Sequence, residues 1–168
     1  NCVSPANTAV LCGTPDGGAI LRSTDRVWMV ASRPAEELAP GQELANTTLA
    51  AVPPGVEITC ASAEGSRIAI CQKRAADAAT HTVTVWEDHG RRVLDTFDLE
   101  VPGHHFPRPL GKLLRMWLAN GYVWVLCVTR WLSNNDELQF LRFPVGYREA
   151  QRAWYGAYSF LRLGWNSL

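Results

Sequence analysis

The chain lacks an excess of charge of either sign: sixteen basic residues balance sixteen acidic ones over 168 residues. With no net field, and with its arginines scattered rather than gathered on one segment, it has no electrostatic footprint for nucleic acid or for an anionic membrane surface. Nucleic acid is therefore excluded as an expected partner. No run of 18 apolar residues crosses the sequence, so no membrane-spanning helix is written in it, and no signal peptide opens it. Also missing are a Gly-x-Ser-x-Gly elbow, a phosphate loop and a Gly-rich fingerprint after a strand. The zinc spacings, cysteines two apart or histidines one helical turn apart, do not occur either.

These absences bear on the titratable residues. His89 beside Gly90 reads as a turn, and His104 and His105, adjacent in a loop after Pro102-Gly103, point apart in extended backbone. Together with His81 they do not make a metal site. Asp98-Leu99-Glu100 reads as the solvated edge of a strand rather than a catalytic carboxylate pair. Every cysteine except Cys2 lies in an apolar run, where burial disfavours the thiolate that a nucleophile needs. The sequence thus predicts no catalytic residue, no metal and no cofactor, and a protein that is not an enzyme.

What is present points to a secreted binding protein. Five cysteines, little lysine against much arginine, and the sequon Asn46-Thr47-Thr48 suit the secretory pathway, with Asn46 as the candidate glycosylation site. Seven tryptophans are many for this length, and large aromatics with a polar edge serve both cores and protein interfaces. Trp117 and Trp124 are expected in the core. Arg130 and Trp131, side by side near a hairpin tip, are the candidate partner contacts, because Arg with Trp is a pairing that interface hot spots favour.

Along the chain, β-branched and aromatic residues alternate with polar ones in segments bounded by turn residues. Gly13 to Gly18 turns between strands at Ala9 to Cys12 and Ala19 to Ser23, and Arg26 to Ser32 is a further strand. Residues 33–54 have the Pro- and Gly-rich composition of a loop, with the sequon exposed on it. Strands follow at Val56 to Ala63 and Arg67 to Lys73, joined by Gly65-Ser66. Thr80 to Glu87 places Thr82, Thr84 and Trp86 on one face and Val83 and Val85 on the other, and His89-Gly90 closes a hairpin into Arg91 to Leu99. Leu110, Leu113, Leu114, Trp117 and Leu118 fall at helical spacing, so a three-turn helix is expected there, ended by Asn120-Gly121. Tyr122 to Leu132 and Glu137 to Phe143 are strands around an Asn134-Asn135 turn, and in the tail, Tyr147 to Leu163, a helical stripe begins at Tyr147 while Tyr155 to Leu163 also alternates as a strand, the helix being preferred.

Gly55-Val56-Glu57-Ile58-Thr59-Cys60-Ala61-Ser62 resembles the B strand of an immunoglobulin variable domain, and Asn120-Gly121-Tyr122 to Cys127 resembles the entry into strand F. The resemblance implies a mainly β, divergent variable-type immunoglobulin-like sandwich with one or two short helices. Its inter-sheet disulfide would join Cys60 to Cys127. The tryptophan expected about a dozen residues after the first cysteine is missing, and Cys71 stands near its place. Cys2 and Cys12 make a possible second pair, Cys60 with Cys71 is another, and the pairing stays open at this point. On this reading residues 1–168 form one domain: 1–54 an N-terminal extension, 55–144 the immunoglobulin-like core, and 145–168 an aromatic segment leading toward a membrane anchor outside this sequence.

Residues 113–128 are similar to the corresponding stretch of cytomegalovirus immune-evasion glycoproteins, the murine cytomegalovirus family among them, in which a helix or loop precedes a Trp-containing strand and its cysteine. What that resemblance implies is a type I membrane glycoprotein of the secretory pathway and infected-cell surface. It would bind class I MHC and alter recognition by T cells or natural killer cells. A generic immunoglobulin-like adhesion or receptor domain with another ligand, and a secreted β-sandwich hydrolase or carbohydrate-binding domain, are the alternatives.

Overall fold

The computed structural model describes residues 8–30, 46–74, 77–101, 108–130, 136–146 and 161–164. Strands joined by tight turns make up nearly all of them, and no helix occurs among the described residues. The first sheet holds β1 (Ala9–Gly13), β2 (Ala19–Arg22), β3 (Arg26–Val30) and β4 (Asn46–Ala51). The second holds β5 (Val56–Glu64), β6 (Arg67–Arg74), β7 (Asp77–Glu87) and β8 (Arg92–Asp98). A two-strand ribbon of β9 (Glu100–Val101) and β10 (Arg108–Pro109) leads to the third, built from β11 (Lys112–Ala119), β12 (Tyr122–Arg130), β13 (Asp136–Pro144) and β14 (Leu161–Gly164).

Within each four-stranded sheet the spatial order follows the chain and every pairing is antiparallel. The molecule is thus mainly β and built of packed antiparallel sheets, as the strand-length alternation predicts. Its strand order is that of successive meanders, whereas an immunoglobulin sandwich interleaves its strands by Greek-key connections.

Two cores explain why the sheets stack. Ile20, Val27 and Met29 of the first sheet meet Ile58, Ala61, Ile68, Ile70 and Trp86 of the second. On the opposite face of the second sheet, Ala69, Cys71, Val83, Val85 and Phe97 meet Met116, Leu118, Val123, Val125, Cys127, Leu141 and Phe143 of the third. Alternation along β7 divides Val83 and Val85 from Trp86, as the sequence predicts; the first sheet covers the Trp86 end of that face, while Thr82 and Thr84 on it stay half-exposed. In β5 a bulge at Thr59 keeps that division: Ile58, Ala61 and Ala63 serve the first core, while Cys60 packs on the second.

The first strands of the three sheets come together, β5 lying against both β1 and β11. All three are edge strands of their sheets, and side chains of neighbouring layers satisfy the backbone groups they leave open. The Leu118 amide donates to Ser62 Oγ at 2.9 Å and the Asn120 amide to Glu64 Oε1 at 2.8 Å. Arg22 Nη1 donates to the Ile58 carbonyl at 2.9 Å. A four-stranded antiparallel meander is also the form of a single β-propeller blade.

Three expectations need correction. The helix expected from Leu110 to Leu118 is the strand β11, and Asn120 (φ 53°) and Gly121 (φ 76°) form the type I′ turn of a β11–β12 hairpin instead of a helix stop. The expected loop around the sequon is in part the strand β4, which begins at Asn46 and pairs with β3. Leu161 to Leu163, where a helix is preferred over an alternating strand, belong instead to the strand β14 (Leu161–Gly164), paired with β13. The Asn134-Asn135 turn and residues 147–160 lie outside the described residues.

Candidate functional site

Strand period two sets the character of the third sheet. Met116 and Leu118 of β11, Val123, Val125 and Cys127 of β12, and Leu141 and Phe143 of β13 point into the core. The intervening residues therefore stand on the outer face. Among them are Arg115 and Trp117 on β11, Tyr122 and Trp124 on β12, and Phe140 and Arg142 on β13. Trp117 and Trp124 are directly opposite each other in the ladder, and Trp124 is opposite Arg142. Neither tryptophan is in the core where the sequence predicts it, because a helical reading puts Trp117 on the same stripe as Leu113 and Leu118 whereas a strand sends it to the other side of Leu118.

These six side chains form one connected array. Trp117 and Trp124 each stack on Phe140 with ring centroids 5.3 Å apart and interplanar angles of 28° and 24°. Tyr122 lies 6.0 Å from Trp124 at 56°. The Arg142 guanidinium sits 4.7 Å over Tyr122 and 6.0 Å from Trp124, and Arg115 sits 6.0 Å over Trp117. Trp124 Nε1 donates to the Ala119 carbonyl at 3.1 Å, which fixes the indole's orientation. The aromatic side chains are half-buried and Arg115 is exposed. Stacking at this separation across strands ~4.8 Å apart requires the rings to stand up from the sheet, so their edges and the guanidinium groups face outward. Aromatic and arginine side chains held by one another lose little freedom on binding and supply the anchor types that dominate protein interfaces.

A second concavity, a cleft of about 560 Å³, opens where the β4–β5 connection meets the ends of β6, β7 and β8. Pro53, Gln72, Lys73, Arg74, Thr82 and Asp98 line it. Two of its charges are engaged locally: Lys73 pairs with Glu57 at 3.3 Å, and Asp98 accepts from the Thr82 hydroxyl at 2.6 Å. No nucleophile and base converge in it.

The cysteines expected to bridge the layers do line a common core. Cys127 is fully buried on β12 and Cys60 packs against the same cluster from β5. They are nonetheless free thiols, as are Cys12 and Cys71, so the Cys60–Cys127 disulfide is not formed. The cross-strand neighbour of Cys60 is Cys71, while Cys127 faces Leu113 and Gln139. Burial pushes the Cys127 thiol up to about 12. Hydrogen bonding from the Cys71 thiol holds Cys60 below the ordinary thiol range, and the same bond, with burial, raises Cys71. Cys12 is raised, mainly by burial. Cys2, the candidate partner of Cys12, lies outside the described residues.

Asn46 starts β4, an edge strand of the first sheet. Arg130 ends β12 opposite Asp136, and Trp131 lies outside the described residues, as do His104 and His105. His81 is buried in the middle sheet and His89 sits exposed in the β7–β8 turn with φ 53°. Among the described residues no three His, Cys, Asp or Glu side chains converge on a point that would hold a metal ion.

The array on the third sheet was missed as a unit in the sequence. Its signal is legible there once Asn120-Gly121 is read as a hairpin turn, because Arg115-x-Trp117, Tyr122-x-Trp124 and Phe140-x-Arg142 then share one parity across three strands. No protein-family model matches the chain, and neither a curated protein nor a solved structure matches it.

Proposed function

We propose that this chain is a non-catalytic binding module that engages a protein partner through the outer face of the third sheet. The observation that supports this most is the array of Trp117, Trp124, Phe140 and Tyr122 with Arg115 and Arg142 laid on their rings. Its support is of two kinds: the residue types are those of interface anchors, and mutual stacking pre-organises them. Class I MHC is the partner implied by the resemblance to cytomegalovirus immune-evasion glycoproteins. It is the first protein to test, on an immunoglobulin-like or other packed-sheet scaffold in the secretory pathway.

The carbohydrate-binding alternative needs aromatic faces laid open for a sugar ring. Here the ring faces are occupied by one another and by guanidinium groups, which favours a protein surface over a saccharide. The hydrolase alternative needs convergent acid and base groups in a pocket, and in the Pro53–Asp98 cleft the one carboxylate, Asp98, accepts from Thr82 while Lys73 pairs with Glu57 outside the lining.

The test is surface plasmon resonance of the folded chain against folded class I ectodomains, with Arg115→Ala and Arg142→Ala beside the wild type. Saturable binding weakened at least about tenfold by the substitutions, the loss of one hot-spot contact worth roughly 1.4 kcal/mol, is the expected result. Binding that is indifferent to both substitutions would move the interface elsewhere, and absence of saturable binding would remove class I MHC as the partner.

A further inference from the structure

We propose that Cys60 and Cys71 form a reactive dithiol, a modification site at which a small-molecule disulfide such as oxidised glutathione closes a cross-strand bridge between β5 and β6. The two residues are direct partners in the β5–β6 ladder. The bulge at Thr59 is what makes them so usable: it turns Cys60 onto the face that carries Cys71, and both pack into the core between the second and third sheets. Directly opposed residues of an antiparallel pair have Cα atoms about 4.5–5.5 Å apart, inside the span of roughly 4.4–6.8 Å that a disulfide bridges. No other two cysteines among the described residues are ladder partners.

The pair is also divided in role. Cys60 is partly exposed and its sulfur lies 3.8 Å from the Thr59 hydroxyl, whereas Cys71 has no exposed surface. A dissolved disulfide therefore reaches Cys60 first, and Cys71 is the resolving thiol. The greater acidity of the Cys60 thiol relative to that of Cys71 agrees with that order. Cys127, buried with its thiol pushed up to about 12 and without a cysteine opposite, stays out of the reaction.

In the first step the Cys60 thiolate attacks one sulfur of oxidised glutathione, forming a Cys60–glutathione disulfide and expelling a glutathione thiolate. In the second, Cys71 gives up its proton and its sulfur attacks that of Cys60, expelling the second glutathione thiolate. The protein loses two electrons and two protons, and the oxidant's disulfide takes both to become two thiols. No other oxidant is required.

The 168-residue chain is incubated with oxidised glutathione without oxygen, alkylated, and digested with trypsin without reduction. Arg67 lies between the two cysteines and Lys73 follows them, so the bridge appears as peptide 27–67 joined to peptide 68–73, a species that dithiothreitol separates. The expected result is that this pair dominates the linked products, that Cys127→Ser leaves it unchanged, and that Cys71→Ser halts at a glutathione adduct on Cys60. A Cys12–Cys60 link in its place, glutathione adducts without a 27–67 to 68–73 link, or both thiols alkylated unchanged would each overturn the proposal. The decisive arm uses the wild-type chain, so it stands even where a variant fails to fold.

Discussion

Cys127 has no exposed surface, and burial pushes its thiol up to about 12. In an unfolded chain the same thiol titrates near 8.5. A group whose pKa rises on folding stabilises the native state fully below the unfolded value, and that contribution is lost as pH climbs toward the folded value. Urea unfolding is accordingly expected to show stability falling between about pH 8.5 and about pH 12, with a shallower fall in Cys127→Ala. A profile identical in the variant would mean that this thiol is not sequestered. Leu141, wholly buried in the same core, makes a sharper point about packing: Leu141→Ala is expected to cost about 2–5 kcal/mol, whereas Leu114→Ala, at an exposed bulge position, should stay within about 0.5 kcal/mol. At this scale the buried valines and isoleucines were legible from alternation alone. Trp117 was not, because its side of the sheet depends on the element type assigned to β11, whereas Trp124 follows from parity with Val123, Val125 and Cys127 on β12, which places it on the opposite face.

The hairpins show how one turn decides the reading of an element. Leu110, Leu113, Leu114, Trp117 and Leu118 satisfy a helical spacing, yet Arg115 to Ala119 also alternates, and Asn-Gly between two apolar segments is the stronger signal for a hairpin. The helix reading failed because the bulge between Leu113 and Arg115 inserts a residue and makes a strand pattern imitate a period of 3.6. Gly121→Val is expected to destabilise by roughly 1–3 kcal/mol in chemical denaturation, since φ 76° is poorly available to a β-branched residue. Gly90 carries a different constraint. Its φ is 88°, and a Cβ added there would come within 2.2 Å of Leu49 Cδ2, so the β7–β8 turn is seated on β4 of the neighbouring sheet. Gly90→Ala should therefore lower the melting temperature by more than Gly65→Ala, whose added Cβ meets nothing within 4 Å although its φ is also positive. The His89-Gly90 hairpin was expected from the sequence, but its turn runs over four residues, with Asp88 and His89 also at positive φ.

Among the described residues, one middle sheet with a hydrophobic core packed on each of its faces organises the chain. The residue types that mark it are visible in the sequence: β6 reads Ile68-Ala69-Ile70-Cys71 without a polar break, as a strand covered on both sides does. What the sequence left unresolved was how many layers there are, since the first sheet's strands are short and β4 is set among prolines and glycines. Ser62 joins layers by accepting from the Leu118 amide of an edge strand, so Ser62→Ala leaves that donor without its partner and is expected to cost about 1–3 kcal/mol. The same stacking presents the aromatic and arginine array on the outside of the third sheet, where binding is proposed. The most direct test is the affinity of folded class I ectodomains for the wild type and for Arg115→Ala, an exposed substitution that leaves the fold intact. The account predicts saturable binding that falls at least about tenfold in the variant; equal affinities for the two proteins would contradict it.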